Sequence, residues 1–420
     1  MMGSVRQRSR FWALAFLMAQ GVALVPAAAA TGPACEYPAD GASFALNLVP
    51  QDGVTAPTGH YVTTIRVGEA GEVRDVVVDT GSVGLVINHT GVEPALFNAS
   101  KTSRQMLYTS SMDYLWGRLV KAPVSFVKPS ASGVTVLGAS TPVDITAVEC
   151  VCHATKGGAG GPVPAVATVS GPAQCSKLNG LSTTASNENV TLDKCEAQKT
   201  TATAWMGVGF GRGPHGTGVT LADNPLVHIA GDQVHQGYVI AGDSVTVGLN
   251  AGTVQDYTFV QLAATSGAGL WDEAQAQPVL GGTNPMSLTP GALLVDVGIP
   301  FFILNTAQAA AVEKAGLTVK ACKKVDGQYK TIVKPGTEIT VNVLDPASGK
   351  PATSYRTMAA DPCASSSTGV VAVVVAPKKP VPGQPMPPPA FNTGRSPIPY
   401  LNYAFDNQCG RVGFKAVSAK

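Results

Sequence analysis

Two apolar segments of this chain each carry an aspartate in the same setting. The first reads Val76-Val77-Val78-Asp79-Thr80-Gly81-Ser82-Val83, and the second Leu293-Leu294-Val295-Asp296-Val297-Gly298-Ile299-Pro300. An aspartate inside an apolar run is expensive to bury unless something hydrogen-bonds it. If the segments face each other, each carboxyl supplies the other with that partner. Two carboxylates a few ångströms apart cannot both ionise easily, so the pair holds one proton. One member can then take a proton from a water while the other gives its proton to a carbonyl oxygen. Such chemistry needs no metal and no cofactor. The six histidines are scattered, and none pairs with a serine or cysteine nucleophile, so triad chemistry has no support.

Positioning two such loops is work for many short strands. The chain has 420 residues, 45% apolar and 13% charged, with 46 glycines and 31 prolines spread along most of its length. That size suits two lobes, and that composition suits strands joined by turns rather than helices. Period-two patterning predicts a strand over His60–Gly68, a second strand covers Val73–Val78 and a third apolar stretch Val83–Ile87. Further strands are predicted at Val124–Val127, Val134–Leu137, Val163–Val169, Gly237–Ile240 and Ser244–Leu249. Thr306–Ala315, with five alanines, reads as a short helix. Gly157–Gly161, Gln174–Thr201 and the proline-rich Lys378–Pro389 read as loops, the second of them tied by a disulfide. A boundary between Leu249 and Trp271 divides an N-terminal lobe, residues 31–255, from a C-terminal lobe, residues 256–420.

Export is written at the start of the chain. Arg6, Arg8 and Arg10 precede an apolar run from Phe11 to Val25, and small residues follow to Ala30, so residues 1–30 read as a cleaved signal peptide. All eight cysteines follow that site. An even count in an exported chain predicts disulfides, with pairing among Cys150, Cys152, Cys175 and Cys195, and Cys322 with Cys363, expected on proximity. Cys150-Val151-Cys152-His153 lacks a second ligand pair at zinc-site spacing, so no metal is expected. With a net charge of +2 and no basic run, the chain offers nothing to nucleic acid or anionic lipid. After the leader no segment is apolar for long enough to span a bilayer.

The stretch His60 to Ile87, with Tyr61 and Gly68 ahead of Asp79-Thr80-Gly81-Ser82, resembles the opening of a pepsin-like aspartic peptidase. Tyr108, followed by Ser110, Ser111 and Gly117, sits where that family carries its flap hairpin and flap tyrosine. Trp205-Met206-Gly207 resembles the apolar-apolar-Gly stretch that closes the first catalytic loop, and Tyr403 to Phe414 the C-terminal hairpin. These landmarks run in family order over nearly the whole mature chain. The resemblance implies an all-β, bilobal fold: two β-barrel-like lobes with an active-site cleft between them. It implies Asp79 and Asp296 as the catalytic pair, Thr80, Gly81, Ser82 and Gly298 in support, and Tyr108 over the substrate. A monomeric, secreted or periplasmic aspartic endopeptidase is expected, with a peptide or protein substrate in the cleft.

The second motif departs from that pattern. Val297 stands where a threonine or serine would bridge to the opposite loop, and Ile299 where a hydroxyl would donate to the carboxylate. A hydrogen bond to a charged group contributes roughly 1.5–3 kcal/mol, so its loss predicts a reaction about 10- to 150-fold slower. Thr109 after the flap tyrosine replaces a glycine, and Phe391-Asn392-Thr393-Gly394 stands where two apolar residues before Gly are expected. The departures cluster in the second lobe. They support an alternative: a catalytically inactive pepsin-fold binding protein of the cell envelope.

Overall fold

The computed structural model describes residues 35–50, 60–108, 111–157, 172–185, 188–200, 204–210, 223–264, 271–281, 284–322, 330–361, 373–377 and 386–417. The leader, the expected strand Val163–Val169, Cys363 and most of the two expected loops Gly157–Gly161 and Lys378–Pro389 lie outside them. The rest is nearly all β. Among the described residues, three sheets of twelve, ten and six strands make up the fold, and one large apolar cluster draws on all three. Alternation decides the faces: along Tyr61–Val67, Ile65 and Val67 are fully buried while Thr64 and Arg66 are not.

The twelve-stranded sheet carries the first aspartate at the end of strand Val73–Asp79. After a tight loop the chain returns as Val83–Asn88, and strand Ala204–Val208 inserts between these two. It runs parallel to the first, with Gly207 opposite Asp79, and antiparallel to the second, with Gly207 opposite Gly84. The ten-stranded sheet repeats the arrangement. Strand Gly291–Leu294 leads to Asp296, Phe302–Thr306 follows, and Ala390–Asn392 inserts between them, parallel to one and antiparallel to the other. The register confirms the repeat. Trp205 lies opposite Val77, two residues before Asp79, and Asn392 opposite Leu294, two residues before Asp296.

The six-stranded sheet takes strands from both ends of the chain, in the order Phe44–Asn47, Ser244–Leu249, His235–Ala241, Leu401–Asp406, Arg411–Ala416, Thr258–Gln261. Buried aromatics tie it to the first aspartate loop. Phe405 stacks on Phe210 at 4.3 Å, and the Tyr238 hydroxyl donates to the Val208 carbonyl at 2.7 Å.

Two expectations are corrected. Gln174–Thr201 is not a plain loop: a 3-10 helix, Pro172–Leu178, leads into strands Ser182–Ala185 and Glu188–Ala197. Its polar composition hid strands that bury one face only, with Val190 and Leu192 on the inside. The expected helix shrinks to Ala309–Lys314, because Thr306 ends a strand that already satisfies its backbone. Cys150 pairs with Cys175 and Cys152 with Cys195, within the expected set, and Cys35, Cys322 and Cys409 are also in disulfides. No described helix is long and apolar enough to cross a membrane.

The Cys152–Cys195 bridge closes a loop of 43 residues. Replacing both cysteines with alanine should lower unfolding free energy by about 2–4 kcal/mol, read from the urea midpoint at constant slope.

Candidate active site

Both aspartates are buried, Asp79 at 7% and Asp296 at 5% exposure, and the charge of Asp296 bears directly on the Asp79 carboxyl. The glycines two residues on explain how they come so close. A Cβ on Gly81 would collide with the Asp296 carboxyl, and one on Gly298 with the Asp79 carboxyl. Each glycine also turns its N–H onto the aspartate of its own loop: Gly81 to Asp79 Oδ1 at 2.7 Å, and Gly298 to Asp296 Oδ1 at 2.9 Å. The inner oxygens are thus held symmetrically.

Thr80 fastens the two loops together. Its hydroxyl donates to the Val295 carbonyl at 2.5 Å and accepts from the Val297 N–H at 2.9 Å, both across the pair. Val297 has no hydroxyl to reciprocate. Its carbonyl instead accepts from Arg395 Nη1 at 3.2 Å, and the Arg395 N–H donates to the Ile299 carbonyl. Arg395 is almost wholly buried, and its guanidinium lies over the Tyr61 ring. Burial pulls the Arg395 pKa down to about 10, opposed by negative charge at Tyr61, Asp296 and Asp79 in falling order.

The outer oxygens differ. Asp79 Oδ2 accepts from the Ser82 hydroxyl at 2.5 Å, as the first motif predicts. Ile299, at the same place in the second motif, has nothing to donate. The expectation that Asp296 therefore lacks a donor is overturned: Asn392 Nδ2 donates to Asp296 Oδ2 at 2.6 Å. Asn392 comes from a strand 96 residues further on, so adjacency in the motif could not reveal it. The one available signal was a polar residue where the pattern asks for an apolar one.

Burial, then the nearby Asp296 charge, pushes the Asp79 carboxyl up to about 7, against the lowering effect of Ser82. Tyr108 ends the strand Ser103–Tyr108, which forms a hairpin with Asp113–Ala122, and it is half-buried. Its phenol is pushed up by burial and then by the charges of Asp79 and Asp113.

No protein-family model and no curated protein matches the sequence. Among solved structures, the fold is similar to that of an aspartic proteinase from Irpex lacteus, with a TM-score of 0.52 over 90% of this chain and 98% of that one. Sequence identity is 12%, so the likeness establishes the fold: a bilobal, all-β, pepsin-like architecture.

Thr80→Val keeps the shape and strands the Val297 N–H and one lone pair of the Val295 carbonyl. It should cost about 1–3 kcal/mol in urea unfolding. Gly298→Ala should destabilise by a similar amount, about 1–3 kcal/mol, because its new methyl group meets a carboxyl held in place from behind.

Proposed function

We propose that the chain is an exported aspartic endopeptidase that hydrolyses an extended peptide between its two lobes, residues 31–255 and 256–420. One observation carries this reading: two buried carboxyls sit against each other, each beside the glycine of the opposing loop. A structural aspartate pair on the surface would ionise twice. Here burial and the Asp296 charge raise Asp79 to about 7, so the pair keeps a proton where a surface aspartate would have lost it.

The chemistry follows from that single proton. The ionised carboxyl takes a proton from a water, whose oxygen adds to the scissile carbonyl carbon. The protonated carboxyl gives its proton to the carbonyl oxygen, forming a gem-diol. On collapse the C–N bond breaks, the nitrogen takes the proton first removed from water, and the diol returns a proton to the other carboxyl. The pair ends as it began. Ser82 and the N–H groups of Gly81 and Gly298 hold the carboxyls in register, Thr80 holds the loops, and Tyr108 on its hairpin covers the bound peptide. The basic and apolar start of residues 1–30, together with the disulfides, supports export to the periplasm or beyond. The binding-protein alternative rests on Val297 and Ile299, whose missing hydroxyls leave the loop contact one-sided.

Purified mature protein should cleave peptides between about pH 3 and 7 and be blocked by a pepstatin-type inhibitor. Asp79→Asn and Asp296→Asn should each lose about 10²–10⁴-fold in kcat. Activity should fall as pH rises through about 7, where Asp79 gives up the shared proton. Folded protein that cleaves nothing at any pH would favour the binding-protein reading.

The same shift has a consequence for stability. A carboxyl whose pKa is higher folded than unfolded stabilises most at low pH, and that contribution is lost as pH rises towards the folded value. Asp79→Asn should therefore melt above the wild type at about pH 8, with the gap closing by about pH 4, as scanned by calorimetry.

A further inference from the structure

The two halves use the same register to different ends. Trp205 and Asn392 occupy equivalent positions on the inserted strands, and Gly207 and Gly394 follow each of them by two residues. In the first half that position is an indole, set edge-on to the His60 ring, and the outer oxygen of the aspartate is served by Ser82 within its own loop. In the second half the local donor is absent, and the side chain from the inserted strand reaches the carboxylate instead. The orientation of the Asn392 amide is decided by its other end. Its Oδ1 accepts the Gly394 N–H at 3.0 Å, so the face left for Asp296 is the NH2 group. Gly394 is itself pinned: its φ is +55°, and a Cβ there would collide with the Phe301 carbonyl.

An amide NH2 is not equivalent to a hydroxyl. The Ser82 hydroxyl can donate to an ionised carboxylate or rotate and accept from a protonated one, whereas an amide N–H can only donate. A proton placed on Asp296 Oδ2 would meet a donor head-on; a proton on Asp79 Oδ2 would meet an acceptor.

We propose that Asn392 is the positioning residue that replaces the missing hydroxyl of the second motif, and that it polarises the pair so that Asp296 is the ionised base and Asp79 the acid in the first step. This rests on the peptidase reading. It assigns the water proton to Asp296 and the carbonyl proton to Asp79, with the reverse transfers on collapse. The buried guanidinium of Arg395 acts in the same sense, since its Nη1 bonds the carbonyl of Val297, the residue next to Asp296. Among the described residues, the phenols of Tyr108 and Tyr238 feel the Asp79 charge, and Tyr61 lies beside Arg395. Burial raises all three phenols above their ordinary range, so none of them titrates where the pair does.

The test compares wild type, Asn392→Leu and the double variant Asn392→Leu/Ile299→Thr as full mature chains, with Asn392→Ala in parallel and melts to identify folded protein. Peptide hydrolysis is followed against pH, and the first ionisation of the pair is followed on 13C-labelled aspartate carboxyls. Loss of the amide should lower kcat about 10- to 150-fold with KM little changed, and move the acid limb of the profile to higher pH. Adding threonine at 299 should recover most of both. An unchanged kcat and acid limb in a folded Asn392 variant would overturn the inference. If the wild type cleaves nothing, the labelled carboxyls still decide. A first ionisation raised in Asn392→Leu keeps the positioning role while the peptidase reading falls, and one that stays put overturns the role itself.

Discussion

Two carboxyls buried against each other repel once both ionise, and neither would stay buried without donors aimed at it. The architecture around Asp79 and Asp296 answers that requirement. Strands end at the aspartates, glycines let the opposing loops approach to contact, and the Thr80 hydroxyl stitches Val295 and Val297 to the first loop. Sheets of twelve and ten strands hold those loops, and the six-stranded sheet sits under the first of them through Phe405, Phe210 and Tyr238.

The two halves do not meet that requirement in the same way. The first motif is self-contained, with donors at Gly81 and Ser82 inside one short loop. The second is distributed: Gly298 belongs to the loop, while Asn392 and Arg395 come from a segment nearly one hundred residues later. The absence of hydroxyls at 297 and 299 therefore does not leave the second carboxylate without an outer donor. A polar side chain on the inserted strand serves the carboxylate, and a buried arginine serves the loop carbonyl. The two halves thus hold similar carboxyl geometry with different supporting residues.

The first motif and the strand leading to it were legible because their information is local, a short apolar run and then Asp-Thr-Gly-Ser; the closing hairpin was legible through the resemblance of Tyr403–Phe414. The Cys150 to Cys195 set was legible from spacing. The strands within 174–201 were missed because one-sided burial and polar composition look like a loop at the level of residue types. Asp296 was found by its likeness to Asp79. Its outer donor was not, because the donor lies in another strand.

From sequence alone came the all-β class, the duplicated aspartate loops and the expectation that they meet, since alternation and glycine placement act over a few residues. Tertiary structure decided which groups satisfy the second carboxylate. Hydrogen bonds are short and directional, and only the register of the inserted strand against Gly291–Leu294 brings the Asn392 amide to 2.6 Å from Asp296. A residue that looked like a broken pattern in the chain becomes, once the strand is inserted, the partner that the altered motif lacks.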